Sequence, residues 1–575
     1  MRAVFLFLLP TLVGPVLSFT PCPLLGPSYP PYTLNNNDST LAETLKVLEN
    51  NFTDLVTTYN GPAGGISPNT SFSIALFSSN EGTAGAEPSF WEFDYTSPAL
   101  AKSSPGSKNV SQGSIYGIGG LTEVFTVWSL LIADGDILED RVTKYFPELS
   151  NASINSTDPV SHVQWDEIMI GHLASHMSGL PRDYCPNDLI SQGPTGAGLP
   201  EHQKPLPTCC GSDDKCRNEG FIKQLASVTP VAPAGYTPLY SNTAFQLLGY
   251  LLERRGGKPF QEILQAQILD KLGLNETTVF APVDSSQGVI PVSKEASGWS
   301  TRKQDRTASR SMFSSAKDLS VVGQAILDSR LLSPAQTRRW LKPVSLTSNP
   351  ANSMSTPWGI YSVTSNYNDT GFMVEIFNIL SNEGNGDGLY SSYLGLVPSY
   401  GVGFAILSAD TESPADLNAH ADYLSSVIKG LTSIAISQAA ENFGGAYANL
   451  TGDFNSSITV GVDELPGLFV NEFVSNGVDF RNTLAELLNI HNGTDVSIRL
   501  FPTERSNSKQ AFRAVYQDKT AFADAGTATC ISWMDVERLQ YNGHGLDEFT
   551  FALNTDGKAV GVEIPALGLT LGKQK

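Results

Sequence analysis

The residues able to do chemistry are spread thinly along this chain, and most pairings among them fail on spacing. A serine followed three residues later by a lysine places an amine one helical turn from the hydroxyl, where it can take the hydroxyl proton. That pattern occurs at Ser212, Ser300, Ser314, Ser426 and Ser506, which shows how readily four residues match by chance. Ser212 sits in a cysteine-rich loop beside two aspartates, Ser426 reads as surface, and none opens an apolar helix after a strand. No Gly-x-Ser-x-Gly elbow is present for an unrelated serine hydrolase. His172 and His176 stand at i, i+4 and could bridge a metal, yet the glutamate of His-Glu-x-x-His is absent, so they read as packing and capping a helix end near Gly179. Cys209, Cys210 and Cys216 with His202 could hold zinc, but the compartment argued below favours disulfides. No metal and no cofactor is expected.

The elements that would position a site are clearer. Ser114–Asp134 runs from a strand-like segment through Gly117, Gly119 and Gly120 into an apolar helix. Val124, Val127, Trp128 and Leu131 form the i, i+3, i+4, i+7 stripe of a helix buried on one side. Leu41–Tyr59 has helical periodicity, and Ser71–Ser78 with Ser89–Tyr95 reads as a hairpin. Tyr240-Ser241-Asn242 precedes a helix carrying Phe245, Leu248, Gly249 and Leu252 on one face. Asn242 there could simply cap the helix, with Tyr240 as a packed aromatic. From Phe443 onward short alternating runs with Gly/Asn turns indicate a separate antiparallel β domain.

Taken in order, these landmarks resemble the serine β-lactamase and penicillin-binding-protein family, in the form of its fungal secreted members. The junction at 114–134 is similar to the family's Ser-x-x-Lys element, but Gly120 stands at the serine position and Glu123 at the lysine position. Tyr240-Ser241-Asn242 is similar to its Tyr-x-Asn motif, in which the tyrosine takes part in proton transfer and the asparagine orients the substrate. Anchoring on Gly388-Leu389-Tyr390-Ser391-Ser392 places Glu383 at the cation of the family's Lys/His-x-Gly strand. The resemblance covers roughly residues 30–440. It implies an α+β fold, an antiparallel sheet flanked by helices, followed by the β domain. The expected organisation is a signal peptide over 1–18, a β-lactamase-like domain over 19–440 and a C-terminal β domain over 441–575.

The replacements carry the functional argument. Two cations beside the nucleophile become two acids, changing the local charge from about +2 to −2, so a substrate carboxylate would be repelled. Paired carboxylates also raise one pKa, share a proton or recruit a cation. Three readings follow: a degenerate member that binds a small molecule; an enzyme rebuilt around Tyr240, Glu123 and Glu383, acting on a small natural product; and a surface interaction protein with a vestigial pocket.

Composition bounds the setting. The 575 residues are 41% hydrophobic and 16% charged, an ordinary globular balance, and the net charge of −21 disfavours nucleic acid and anionic membranes. Residues 1–18 read as a secretory signal peptide and no later segment is long and apolar enough to span a membrane. Sequons at Asn37, Asn51, Asn69, Asn109, Asn151, Asn155, Asn275, Asn368, Asn449, Asn455 and Asn492 fit a glycosylated secreted product. Among the six cysteines, Cys185, Cys209, Cys210 and Cys216 bracket one loop and are expected to cross-link within it. Cys22 and Cys530 remain, able to tie the N-terminal arm to the C-terminal domain. The expected partner is a small molecule of unknown identity; the oligomeric state is not legible.

Overall fold

The computed structural model describes residues 19–34, 39–61, 64–79, 88–103, 105–154, 158–184, 219–300, 306–365, 372–382, 388–449, 455–521 and 528–574. The chain divides into two units, one of residues 33–363 with 373–434, the other of 1–32, 364–372 and 435–575.

The larger unit is built on one antiparallel sheet. Its strands are β1 (Ser71–Ser78), β2 (Trp91–Tyr95), β3 (Ser345–Leu346), β4 (Asn352–Met354), β5 (Gly359–Ser365), β6 (Phe372–Asn382), β7 (Tyr390–Val397) and β8 (Val402–Ala409). They lie in the order β2-β1-β8-β7-β6-β5-β4-β3. Every residue of β1 and β8 is buried, as expected for central strands covered on both faces. The expected pairing of 71–78 with 89–95 is present as β1 on β2, in antiparallel register with Ile74 opposite Phe93.

Helices cover the sheet: α1 (Ser39–Thr58), α2 (Thr122–Ala133), α3 (Ile170–Ala174), α4 (Asn242–Gly256) and α5 (Ala316–Leu327) among them. The one-sided stripe expected for α2 is an underestimate. All residues from Thr122 to Leu131 are buried, polar ones included. This helix runs through the core cluster, packed by Trp340 against Trp128 and by residues of α4. Its polar groups are absorbed locally: Thr126 Oγ1 donates to the Ala308 carbonyl at 2.6 Å, and Thr122 Oγ1 accepts from Met312 N at 3.2 Å.

In the smaller unit, β9 (Gly445–Asn449), β10 (Ser456–Gly461), β11 (Leu468–Ser475), β12 (Val496–Arg505), β13 (Lys509–Asp518), β14 (Glu548–Leu553), β15 (Ala559–Ile564) and β16 (Leu569–Lys573) pair in chain order. The ring closes through β16 on β9, so the C-terminal β domain is an eight-stranded antiparallel barrel. Closure removes the exposed edges that an open sheet would present. The interior is filled by aromatics, with Phe512, Phe551 and Tyr447 at centroid distances of 5.3 and 5.5 Å. Helix α6 (Phe480–Leu488) crosses between β11 and β12. Cys22 is bonded to Cys530, joining the N-terminal arm to this unit as the cysteine count suggested. Cys185, Cys209, Cys210, Cys216 and His202 lie outside the described residues.

Candidate functional site

The glycine turn is shaped by what lies over it. Gly119 has a φ of +46°, which an L side chain resists. A Cβ on Gly117 would lie 2.8 Å from the Tyr390 ring. The turn is held to the sheet by Ser392 Oγ donating to the Ile118 carbonyl at 2.8 Å, and by Gly120 N donating to Ser381 Oγ at 2.7 Å. Gly120 differs from its neighbours. A Cβ built there would sit 3.3 Å from Ser381 Oγ and 3.5 Å from the Tyr240 hydroxyl, so a side chain facing the tyrosine fits once Ser381 gives by a few tenths of an ångström.

One turn along α2, the Glu123 carboxylate is 1% exposed. Its Oε2 lies 3.3 Å from His176 Nε2. His176 Nδ1 accepts the Ser241 backbone N–H at 3.2 Å, which assigns the ring proton to Nε2 and makes that contact a donation to the acid. Glu123 Oε1 is buried without a hydrogen-bond partner among the described residues. The Tyr240 ring packs on His176 at 4.7 Å, and the Arg182 guanidinium lies over it at 4.7 Å. The Tyr240 hydroxyl donates to Asn242 Oδ1 at 3.0 Å, and Asn242 Nδ2 donates to Asp183 Oδ1 at 2.7 Å. Arg306 Nε approaches that same Asp183 oxygen at 3.5 Å. Burial, then the charge on Glu123, pushes the Tyr240 phenol well above its usual range, with Arg310 and Arg182 opposing. The phenol therefore stays protonated at neutral pH and acts as a donor.

Gly120, Glu123, Tyr240 and Asn242 thus share one site. Glu383 lies outside the described residues. Ser241, whose Oγ accepts from Ala244 N, is the cap of α4; Asn242 is the first helical residue, turned into the site instead. His172 does cap, its Nδ1 accepting from Met169 N at 3.2 Å. No group of three metal-ligating side chains occurs among the described residues. Of the alternative Ser-x-x-Lys pairs, Ser314 is buried against Thr277 Oγ1 at 2.8 Å, while Lys317 three residues on is exposed.

His176, Arg182, Asp183, Arg310 and Ser381 went unrecognised as site residues in the sequence. They add to the acids expected from the sequence: Glu123 is met by an imidazole, and two arginines act on Tyr240. One signal was available, since a buried acid at a lysine position requires a partner, and histidines follow it at 162, 172 and 176. Chemically, the site can hold a proton between Glu123 and His176 and offer a phenolic donor. It lacks a nucleophile at 120, and the amide that could stabilise an oxyanion there already donates to Ser381.

Comparison with known proteins places the chain in a family. Residues 101–439, more than half of the chain, match the family model described as beta-lactamase. Residues 435–575 match one described as the C-terminal domain of a beta-lactamase-like group. A "Beta-lactamase-like protein" of Arthroderma benhamiae is 27% identical over 87% of this chain and 87% of its own length. The "Probable hydrolase M10" of a Phoma species is 22% identical over 88% of this chain and 84% of its length. Among solved structures, the octameric penicillin-binding protein homologue of Pyrococcus abyssi aligns over 92% of this chain and 98% of its own, at 16% identity and a TM-score of 0.46. The chain belongs to the β-lactamase family.

Proposed function

We propose that this is a secreted β-lactamase-like protein without serine–lysine acyl chemistry, whose cleft serves as a small-molecule site. One observation carries the reading: Gly120 is bare where a nucleophile would stand, a Cβ built on it falling 3.5 Å from the Tyr240 hydroxyl, and Glu123, one turn on, is engaged by His176. Secretion is supported by the Cys22–Cys530 bond, which persists in oxidising compartments. Asn109, Asn275, Asn449 and Asn455 are exposed and open to glycosylation. The test is incubation with a fluorescent penicillin and a fluorophosphonate. Neither is expected to label the protein, and a covalent adduct defeats the proposal.

A second reading, an enzyme rebuilt around Tyr240 and Glu123, is favoured by the phenol, carboxylate and imidazole lying next to one another. Such a series can relay a proton for a ring-forming, acyl-transfer or hydrolytic step on a small natural product. Turnover of a small ester by the native chain that is lost in both Tyr240→Phe and Glu123→Gln would establish it over the first.

A further inference from the structure

The glycine turn of the cleft is tied to a second cluster of titratable groups. Residues 313–314 form the middle of a short antiparallel ladder. On one side Phe313 pairs with Gly117 and Ser314 with Tyr116. On the other, Phe313 and Thr278 exchange both backbone hydrogen bonds at 2.9 Å. Just beyond, Ile118 N donates to the Met312 carbonyl at 2.9 Å, and Met312 N donates to Thr122 Oγ1 at 3.2 Å. The strand leading into the turn therefore shares its partner with residues 276–278.

That neighbouring segment is fastened at Asp318, in the first turn of α5. Asp318 is 3% exposed, and its Oδ2 accepts from Thr277 Oγ1 at 2.7 Å and from Glu276 N at 2.9 Å. Thr277 Oγ1 also meets Ser314 Oγ at 2.8 Å, so one acid holds both sides of the ladder. The Glu276 carboxyl acts on Asp318 as a second acid. Nothing cationic answers the two. β1 and β8, packed on α5, carry no titratable side chain. β7 brings the phenols of Tyr390 and Tyr393, and the helical turn Asp270–Leu272 brings Asp270 and Lys271. Neither Lys271 nor Lys317 of α5 forms an ion pair with Asp318 or Glu276 among the described residues.

We propose that Glu276 and Asp318 form a proton-operated clasp: with its proton the pair locks 276–278 and 313–314 to α5, and without it the ladder beside the glycine turn loosens. Burial first, and then Glu276, pushes the Asp318 carboxyl up to about 7, with Thr277 opposing. Opening returns the group to the ordinary carboxylate range, so the closed form binds the proton more tightly than the open one. Closure is therefore strongest in acid, weakens as pH rises, and reaches its floor once pH passes about 7. The clasp acts on the cleft proposed above and rests on that reading. Its test needs no ligand, so its failure and a failed penicillin test are separate results.

The test is hydrogen-exchange mass spectrometry on the full chain, corrected for intrinsic exchange, from about pH 5 to about pH 8. Opening in peptides covering 276–280, 311–318 and 114–121 should rise together, by up to about ten-fold per pH unit, and level off near pH 7. Asp318→Asn should remove the rise in all three. Should that variant fail to fold, Glu276→Gln should move the levelling-off to lower pH. Opening that is independent of pH in the native chain, a rise that survives Asp318→Asn, or an unaltered profile in Glu276→Gln would overturn the proposal. So would a rise confined to 276–280 and 311–318, which would leave the turn uncoupled.

Discussion

If Gly120 is a vacated side-chain position, the three glycines of the turn should respond differently to a Cβ. Gly120→Ser places its Cβ 3.3–3.5 Å from Ser381 Oγ, Ser381 Cβ and the Tyr240 hydroxyl, contacts relieved by a few tenths of an ångström of side-chain movement. Serine also recovers roughly 0.5 kcal/mol of helix propensity over glycine, so the net change should stay within about 1 kcal/mol. Gly117→Ala drives its Cβ to 2.8 Å from the Tyr390 ring. That ring cannot yield easily: it is 1% exposed and its hydroxyl donates to the Val289 carbonyl at 2.7 Å. Overpacking of this kind costs roughly 1–3 kcal/mol. Gly119→Ala meets a φ of +46° and should lose about 1–2 kcal/mol. Urea unfolding followed by tryptophan fluorescence, with slopes compared, gives the order directly. The expected ranking is Gly120→Ser mildest and Gly117→Ala most severe. A Gly120→Ser variant destabilised as much as Gly117→Ala would refute the assignment of position 120.

Other perturbations test other parts of the structure. Asp318, buried beside Glu276 at the start of α5, has its carboxyl pushed up to about 7, by burial first and then by Glu276, with Thr277 opposing. The folded state therefore keeps a proton that the unfolded chain releases above about pH 4, and stability should fall, by on the order of 1–3 kcal/mol, as pH rises from about 4 to 7. Asp318→Asn should flatten that slope in urea midpoints taken across the range; an unchanged slope would remove Asp318 as its source. Cys530→Ser frees the N-terminal arm and should cost the barrel unit roughly 2–4 kcal/mol, read by denaturant unfolding. Restoring Gly120→Ser, Glu123→Lys and Glu383→Lys together should produce detectable penicillin acylation, read by intact mass. A folded triple variant that stays unlabelled would count against the register of those positions.

Much of this was legible because it is local. The period of Leu41–Tyr59 gave α1, found at Ser39–Thr58, and the glycine turn followed by an apolar run gave the junction at α2. Tyr240 and Gly120 were placed in one cleft from motif order alone, and they face each other. What escaped depends on distant contacts. Ser381 reaches Gly120 across 261 positions and His176 meets Glu123 across several intervening helices, neither with a periodic signature. Alternation from 443 onward gave antiparallel strands, but closure depends on β16 meeting β9, a pairing alternation does not encode. The burial of α2 on all sides likewise reflects its neighbours more than its own pattern.

The proposal that this cleft forms no acyl-enzyme rests on glycine at 120, the position matched to the family's serine, and on Glu123 at that matched to its lysine. Intact-mass spectrometry of the native protein after prolonged exposure to penicillin addresses it most directly. An unchanged mass is the expected result; an added penicilloyl group, mapped to any residue of the cleft, would contradict it.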